Sequence, residues 1–147
     1  ITHAHHPLPV DPDTLFQIAS NSKPFTATLM MQLVEEGALG LDDPVRRHLP
    51  ELRMPDRRYD DAVTVRHLLS HRVGWDGDEI FVRQPRPPRL DNPFETMARA
   101  RQLVEPGGPW TYSNAAFTLA GLLVERLRGA PFEQVLRERI LAPLGMT

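Results

Sequence analysis

A serine and a lysine three residues apart, Ser20 and Lys23, stand at the start of an amphipathic segment. At the pitch of an α-helix this spacing places the hydroxyl and the amine on one face, one turn apart. Serine is a poor nucleophile without an adjacent base, so this pair could form an activated nucleophile. Lys23 is also the one lysine among 17 basic residues, all the others being arginine. Arginine does not give up its proton in proteins whereas lysine can, which favours a role for Lys23 that arginine could not take.

A second polar group, Tyr112-Ser113-Asn114, lies far along the chain at the start of another apolar segment. Each pattern is weak by itself. Ser-x-x-Lys arises by chance, Lys23 could be an ordinary surface charge, and the second group could be a helix cap beside a buried tyrosine. The combination is more specific, because it places a nucleophile pair on one buried helix and a tyrosine–asparagine pair at the entrance to a second.

The elements that would hold these residues are helices separated by proline and glycine. The segment after Ser20 carries a broad apolar face and ends at Gly37, a natural residue just beyond a helix. The segment that Ser113 or Asn114 would cap is apolar nearly all round and ends at Gly129, so we expect it to be central. Four further helices are expected. Three of them have an N-cap residue: Asp43 for a short helix to His48, Thr64 for one to His71, and Asn92 for one across Pro93 to Leu103. The fourth begins at Pro131, and residues 14–19 are expected to be extended.

Composition excludes several classes of function. The chain has 147 residues, of which 41% are hydrophobic and 24% charged, as is typical of one soluble globular domain. A net charge of −2 gives no general attraction to nucleic acid or anionic membranes. No apolar run reaches the roughly 18 residues that span a bilayer. The absence of cysteine excludes disulfides, thiol catalysis and metal bound through cysteine.

Two further features have alternative interpretations. His67 and His71 have the spacing of paired zinc ligands, but Leu68 stands where a zinc protease needs a glutamate, so we expect structural histidines and no metal or other cofactor. Residues 76–92 form a long loop rich in proline, which we expect to be a wall or lid of a site. A polyproline ligand for a partner domain is the alternative for that loop.

With these motifs in hand, the sequence resembles the serine β-lactamase and penicillin-binding-protein superfamily, most closely the class C β-lactamases and their related esterases and D,D-peptidases. The resemblance covers nearly the whole chain, and its segments follow the order of the family. They are residues 16–23 with Ser20 and Lys23, Leu41-Asp42-Asp43-Pro44-Val45, His67-Leu68-Leu69-Ser70-His71, Pro106-Gly107, Tyr112-Ser113-Asn114 and Pro143-Leu144-Gly145-Met146.

The resemblance implies an α+β fold of the β-lactamase/transpeptidase type, a mixed helical domain plus an antiparallel sheet. It also implies a serine hydrolase that acts through an acyl-enzyme on an amide or ester, such as a β-lactam, a D-amino-acid peptide or a small ester. Ser20 would be the acylated nucleophile and Lys23 the amine that assists it. Tyr112 would be the general base and later the acid, and Asn114 would bind the substrate. The backbone N–H of Ser20 would supply one oxyanion donor.

Two parts of the family's pattern are missing from the 147 residues. These are the third motif, Lys/His-Thr-Gly on an edge strand with the second oxyanion donor, and most of the N-terminal strands. We therefore expect residues 1–147 to be a single partial domain that covers mainly the helical part, with the third motif beyond Thr147 and little turnover from this chain alone.

The alternative is a non-catalytic or truncated family member that binds a ligand or partner in the same cleft. A metal protein built on the six histidines is a third, weaker possibility. The expected partner is a small-molecule or peptide substrate, with no nucleic acid and no membrane span. The compartment and the oligomeric state are left open by the sequence.

Overall fold

The computed structural model describes residues 5, 8–76 and 93–146. Over this part the chain is helical, with two isolated β-bridges, Pro44 to Thr64 and Trp75 to Gln102, and no β-strand. None of the described helices is long and apolar enough to cross a membrane. The α-helices are α1 (Ser22–Glu35), α2 (Val45–His48), α3 (Val65–Leu69), α4 (Pro93–Ala98), α5 (Asn114–Arg128) and α6 (Phe132–Leu136), accompanied by single 3-10 turns at Ala19–Asn21 and Arg57–Tyr59 and a π-helical turn at Arg137–Leu141.

The two long helices, α1 and α5, pack against each other and form the centre of the core. Leu29 and Leu33 of α1, and Leu119 and Leu123 of α5, are at most 1% exposed. Burying such a side chain stabilises the fold by about 1.5–3 kcal/mol, so this helix pair is a rigid base for whatever its ends carry. The predicted apolar face after Ser20 and the predicted central position of the second helix are both confirmed.

The helix ends follow local rules in most cases. Gly37 follows α1 with φ at +72°, and Gly129 caps α5 with φ at +66°, a left-handed conformation that glycine adopts without strain. Thr64 is the N-cap of α3 as predicted, since its side chain accepts a hydrogen bond from the backbone N–H of His67. The helix itself ends at Leu69, and His71 takes the left-handed conformation that follows it.

The N-cap of α2 was predicted wrongly. The cap residue is Pro44, and Asp43 lies one residue outside it. The Asp43 carboxylate accepts a hydrogen bond from the backbone N–H of Gly40 at 2.9 Å and contacts Nε2 of His48 at 3.0 Å. Asp43 therefore closes the turn before the helix and reaches its last residue, so two other groups of the same segment take the carboxylate that a cap would have used.

Two other boundaries differ from the prediction. Helix α4 ends at Ala98 and not at Leu103, because the chain turns back so that the N–H groups of Leu103 and Val104 both donate to the carbonyl of Gly74. Residues 14–19 were expected to be extended, but they form no strand, and Ile18 is already in the right-handed helical region. The predicted cap Asn92 and the predicted loop beyond residue 76 lie outside the described residues.

Candidate active site

Ser20 lies in the 3-10 turn Ala19–Asn21, which runs directly into the N-terminus of α1. Ala19 has φ at +46°, an uncommon conformation for a residue with a side chain. The hydroxyl of Ser22 donates to the Ala19 carbonyl at 2.8 Å and helps to hold this turn. Ser20 is therefore presented beside the positive end of a 14-residue helix, where the helix dipole favours negative charge.

Tyr112 and Asn114 are placed by the residue between them. Ser113 is the N-cap of α5, and its fully buried hydroxyl oxygen accepts a hydrogen bond from the backbone N–H of Ala116 at 3.1 Å. The same oxygen accepts a second hydrogen bond from the indole Nε1–H of buried Trp75 at 3.0 Å. Because two hydrogen bonds fix Ser113, the residues on either side of it, Tyr112 and Asn114, are held in defined orientations.

The structure brings all four predicted site residues together. The Ser20 Oγ and the Tyr112 hydroxyl oxygen are 2.6 Å apart. The Lys23 ammonium donates to Ser20 Oγ at 3.0 Å and to Asn114 Oδ1 at 2.7 Å. Lys23 thus connects the turn before α1 to the start of α5, and Ser20 Oγ is within hydrogen-bond distance of both a tyrosine hydroxyl and an amine.

The charge of Lys23 also lies over aromatic rings. Its Nζ is 4.7 Å from the centre of the Tyr112 ring and 5.6 Å from that of Phe117. Both distances fall in the range of cation–π attraction, which adds to the two hydrogen bonds in fixing the amine. A negative charge formed on Tyr112 would be stabilised by the same ammonium.

His71 packs behind Tyr112, a contact that sequence reasoning missed. The two rings stack with centroids 4.6 Å apart and an interplanar angle of 30°. The backbone N–H of Ser113 donates to His71 Nδ1 at 3.1 Å. His71 was considered as a partner of His67 and as part of a segment shared with the family, and no local pattern would have indicated its contact with a segment so distant in the chain.

His67 has a separate, local role in α3. Its Nδ1 accepts the backbone N–H of Thr64 at 3.3 Å, which completes a capping box at the start of that helix. Burial, with the nearby positive charge of Arg72 as the next cause, lowers the pKa of His67 below its ordinary value. Among the described residues no cluster of three or more histidine, aspartate or glutamate side chains could hold a metal ion.

A cleft of about 540 Å³ begins at Lys23 and Asn114 and continues between α1, α5 and α6. Thr26 and Thr118 supply hydroxyl groups to its walls, and Phe117 and Phe132 supply apolar surface; Ser22 and Gly121 complete the lining. The cleft is within the 300–1,000 Å³ range of small-molecule sites. Two of the four site residues, Lys23 and Asn114, therefore line one end of a groove of mixed polarity.

Comparison with known proteins identifies the family. A sequence profile of the Beta-lactamase family matches residues 1–147, and the chain belongs to this family. The esterase EstB of Burkholderia gladioli is 36% identical over 154 residues, covering 94% of this chain and 38% of the esterase. Penicillin-binding protein 4 of Amycolatopsis lactamdurans is 33% identical, covering 99% of this chain and 38% of that protein.

A solved structure shows the same arrangement of the chain. The D-amino acid amidase from Ochrobactrum anthropi, in complex with D-phenylalanine, matches with a TM-score of 0.82 and 34% identity, covering 95% of this chain and 39% of the amidase. The α+β fold of the β-lactamase/transpeptidase type is thereby confirmed, and the described residues form its helical part. The chain spans 38–39% of the length of these three relatives.

Proposed function

We propose that this chain carries the nucleophile and the base of a serine hydrolase that cleaves an amide or ester through an acyl-enzyme. The observation that supports this most directly is the placement of Ser20 Oγ within 2.6 Å of the Tyr112 hydroxyl and 3.0 Å of the Lys23 ammonium. Lys23 belongs to α1 and Tyr112 to the segment that leads into α5, so the arrangement is a tertiary one. The family supports the reaction class, since relatives include an esterase and a D-amino acid amidase.

In the proposed reaction, Ser20 Oγ attacks the substrate carbonyl as its proton passes to the oxygen of Tyr112. Lys23 stabilises the tyrosine as an anion and holds Ser20 Oγ through its hydrogen bond. Tyr112 then gives the proton to the leaving amine or alcohol, and water cleaves the resulting ester of Ser20 by the reverse sequence. The backbone N–H of Ser20, beside the N-terminus of α1, would donate to the developing oxyanion.

Asn114 would bind the substrate beside this nucleophile. Its Oδ1 accepts the Lys23 ammonium at 2.7 Å, so the oxygen of the side-chain amide faces the lysine. Asn114 would then meet the substrate as a donor through Nδ2, and a carbonyl oxygen of an amide or ester flank is the matching acceptor. The substrate would be a β-lactam, a D-amino-acid peptide or a small ester.

We also propose that residues 1–147 are one part of a domain of this type. The relatives are more than twice as long, and the printed sequence contains no Lys/His-Thr-Gly motif. A further segment would supply that motif, the second oxyanion donor and the antiparallel sheet. Reading the coding sequence beyond Thr147 tests this, and a stop codon directly after it would contradict the proposal.

The catalytic proposal is tested by covalent labelling of the intact protein with a fluorophosphonate and with a labelled penicillin. We expect one labelled serine, mapped to Ser20 by mass spectrometry, and no label in Ser20→Ala. Thr28→Ala is the matched control on the same helix, because its hydroxyl donates to the Pro24 carbonyl at 2.9 Å in an exposed position and does not line the cleft; this variant should retain the label. We expect Tyr112→Phe to slow labelling by about 10²–10⁴-fold, the usual contribution of a general base.

Label that survives Ser20→Ala, or an intact protein that neither reagent modifies, would overturn the proposal. The second of these outcomes favours the alternative, a non-catalytic family member that binds a ligand in the cleft beside Lys23 and Asn114. Binding of unreactive substrate analogues, such as a D-amino acid amide or a carboxylate product, would then be measured by calorimetry. Loss of that binding in Asn114→Ala would support the alternative.

A further inference from the structure

His71 occupies a helix end where the chain elsewhere uses glycine. The N–H of Arg72 donates to the His67 carbonyl at 2.9 Å and the N–H of His71 donates to that of Leu68 at 3.4 Å, which is the Schellman arrangement. The residue at its centre has φ at +58°. At the corresponding position after α1 the chain has Gly37, for which this conformation carries no strain. A histidine in this conformation indicates that its side chain makes contacts that glycine could not make.

That side chain and its backbone contact three consecutive residues of the candidate site. The His71 carbonyl accepts the N–H of Thr111 at 2.8 Å, its ring stacks on Tyr112, and its Nδ1 accepts the N–H of Ser113 at 3.1 Å. The ring also lies 5.1 Å from that of Phe117 on α5. One residue at the end of α3 therefore holds the backbone on both sides of Tyr112 as well as its ring.

We propose that His71 is a positioning residue that, with Nδ1 unprotonated, holds the Tyr112 hydroxyl against Ser20. This rests on the proposed function, because it assigns His71 a part in the same acylation. The Tyr112 ring has His71 against it and Lys23 at 4.7 Å from its centre. With its ring thus contacted, Tyr112 keeps its hydroxyl 2.6 Å from Ser20 Oγ, and a small rotation of the ring would lengthen that distance.

The hydrogen bond from the Ser113 N–H to His71 Nδ1 depends on the charge of the His71 ring. A hydrogen-bond acceptor at Nδ1 requires the neutral ring with its proton on Nε2, since both nitrogens of the charged ring are donors. Protonation would turn Nδ1 into a donor facing the Ser113 N–H. Among the described residues, the titratable groups near the ring include Tyr112 against it, Lys23 of α1 beyond Tyr112 and Phe117, and His67 and Arg72 in its own segment. Acylation should therefore slow as the pH falls through the pKa of His71.

Two measurements test the proposal independently of each other. In the first, nitrogen NMR follows the His71 ring and the Ser113 amide of the intact protein between pH 5 and 9. The Ser113 amide should shift with the midpoint of the His71 ring, and this dependence should vanish in His71→Asn. In the second, the rate of Ser20 labelling in the intact protein is measured over the same range. It should fall at acid pH with that midpoint in the wild type.

Two substitutions separate the backbone from the side chain. His71→Gly removes the ring and the acceptor, so labelling should slow by about tenfold or more; in the melting temperature, the unpaired Ser113 N–H is offset by relief of the left-handed backbone strain. His71→Asn tolerates the same backbone and places Oδ1 near the former Nδ1, so labelling should recover in part and lose the part of its acid limb that follows the His71 midpoint. His67→Asn is the matched control, because its Nδ1 accepts the Thr64 N–H away from Tyr112; its acid limb should remain.

A purely structural role would leave the pH profile of His71→Asn equal to that of the wild type, and this result would overturn the proposal. A Ser113 amide that ignores the titration of His71 would overturn it as well. If the amide follows His71 but Ser20 is never labelled at any pH, the proposed hydrolase function fails and the contact between His71 and the tyrosine segment stands as observed. The two ideas can therefore fail separately.

Discussion

Replacing Ser113 by alanine should destabilise the protein far more than the loss of one oxygen atom suggests. Its hydroxyl is fully buried and accepts two hydrogen bonds, from the backbone N–H of Ala116 and from the indole N–H of Trp75. Trp75 is also fully buried, so we expect no water to replace the serine as acceptor of its indole N–H. Ser113→Ala therefore removes the N-cap hydrogen bond of α5 and leaves the buried indole N–H of Trp75 without an acceptor.

The magnitude follows from these two losses. An N-cap serine changed to alanine costs about 1 kcal/mol. A buried N–H left without an acceptor costs about 1–3 kcal/mol. The cavity adds little, because the volume removed is that of a single oxygen. We therefore expect a loss of about 2–4 kcal/mol in the free energy of unfolding, which is a large share of the 5–15 kcal/mol that typical domains possess.

Urea denaturation followed by tryptophan fluorescence measures this loss directly. Ser70→Ala is the matched control: its hydroxyl donates to the Arg66 carbonyl at 2.7 Å in an exposed position, and we expect a change within about 0.5 kcal/mol. A double-mutant cycle with Trp75→Phe isolates the side-chain bond, because phenylalanine has no N–H to leave unpaired. The cycle should show a coupling energy of about 1–2 kcal/mol. Additive effects, or a Ser113→Ala cost no greater than that of Ser70→Ala, would refute the reasoning.

Two more predictions concern the elements that support the site. Gly74→Ala should destabilise by about 3 kcal/mol or more in the same assay, because φ is +84° and the new Cβ would lie 2.2 Å from the Val104 carbonyl oxygen. Gly37→Ala, with φ at +72° and open space around it, should cost only about 1 kcal/mol, and equal costs would contradict the steric argument. The pKa of His67 is lower in the folded protein, so the folded state favours the neutral ring. This contribution to stability is fully present above the unfolded pKa near 6.5 and is lost as the pH falls through the lower folded pKa. His67→Asn should flatten the change of the urea midpoint in that window, and an unchanged slope would contradict it.

Local rules predicted the helices well where a single segment decides its own structure. The apolar face of α1 follows from the spacing of Leu29 and Leu33, and its end follows from Gly37. The caps at Thr64 and Ser113 follow from residue type and position. In both caps the backbone N–H that the side chain accepts lies three residues along the chain, so the sequence contains that interaction.

The arrangement of the four site residues could not be predicted from local rules alone. The spacing of Ser20 and Lys23 predicted that the two would share a face, and the hydrogen bond of 3.0 Å between them agrees. Their meeting with Tyr112 and Asn114 could be expected only from the resemblance to a family, because no periodicity joins residues so far apart. The structure brings these four side chains together, and their catalytic roles stay predictions.

What the sequence did not reveal is which of several available partners a polar group takes, and in some cases that partner lies in a distant segment. Asp43 was predicted as a cap because its type and position fit one, but the carboxylate contacts His48 and the N–H of Gly40. Helix α4 was predicted too long because nothing near its end shows that the Gly74 carbonyl accepts two N–H groups from residues 103 and 104. The contact of His71 with Ser113 belongs to the same class, since 42 residues separate them.

Residues whose backbone conformation is unfavourable for their type lie beside the proposed catalytic residues. Over residues 8–76 and 93–146, the residues other than glycine with positive φ are Ala19 at +46° and His71 at +58°. Each conformation costs about 1–2 kcal/mol for a residue with a side chain, and persists only where its surroundings enforce it. Ala19 directly precedes Ser20, and His71 stacks on Tyr112. A chain selected for stability alone would place glycine at both positions, so the two strained residues indicate the site independently of the spacing of Ser20 and Lys23.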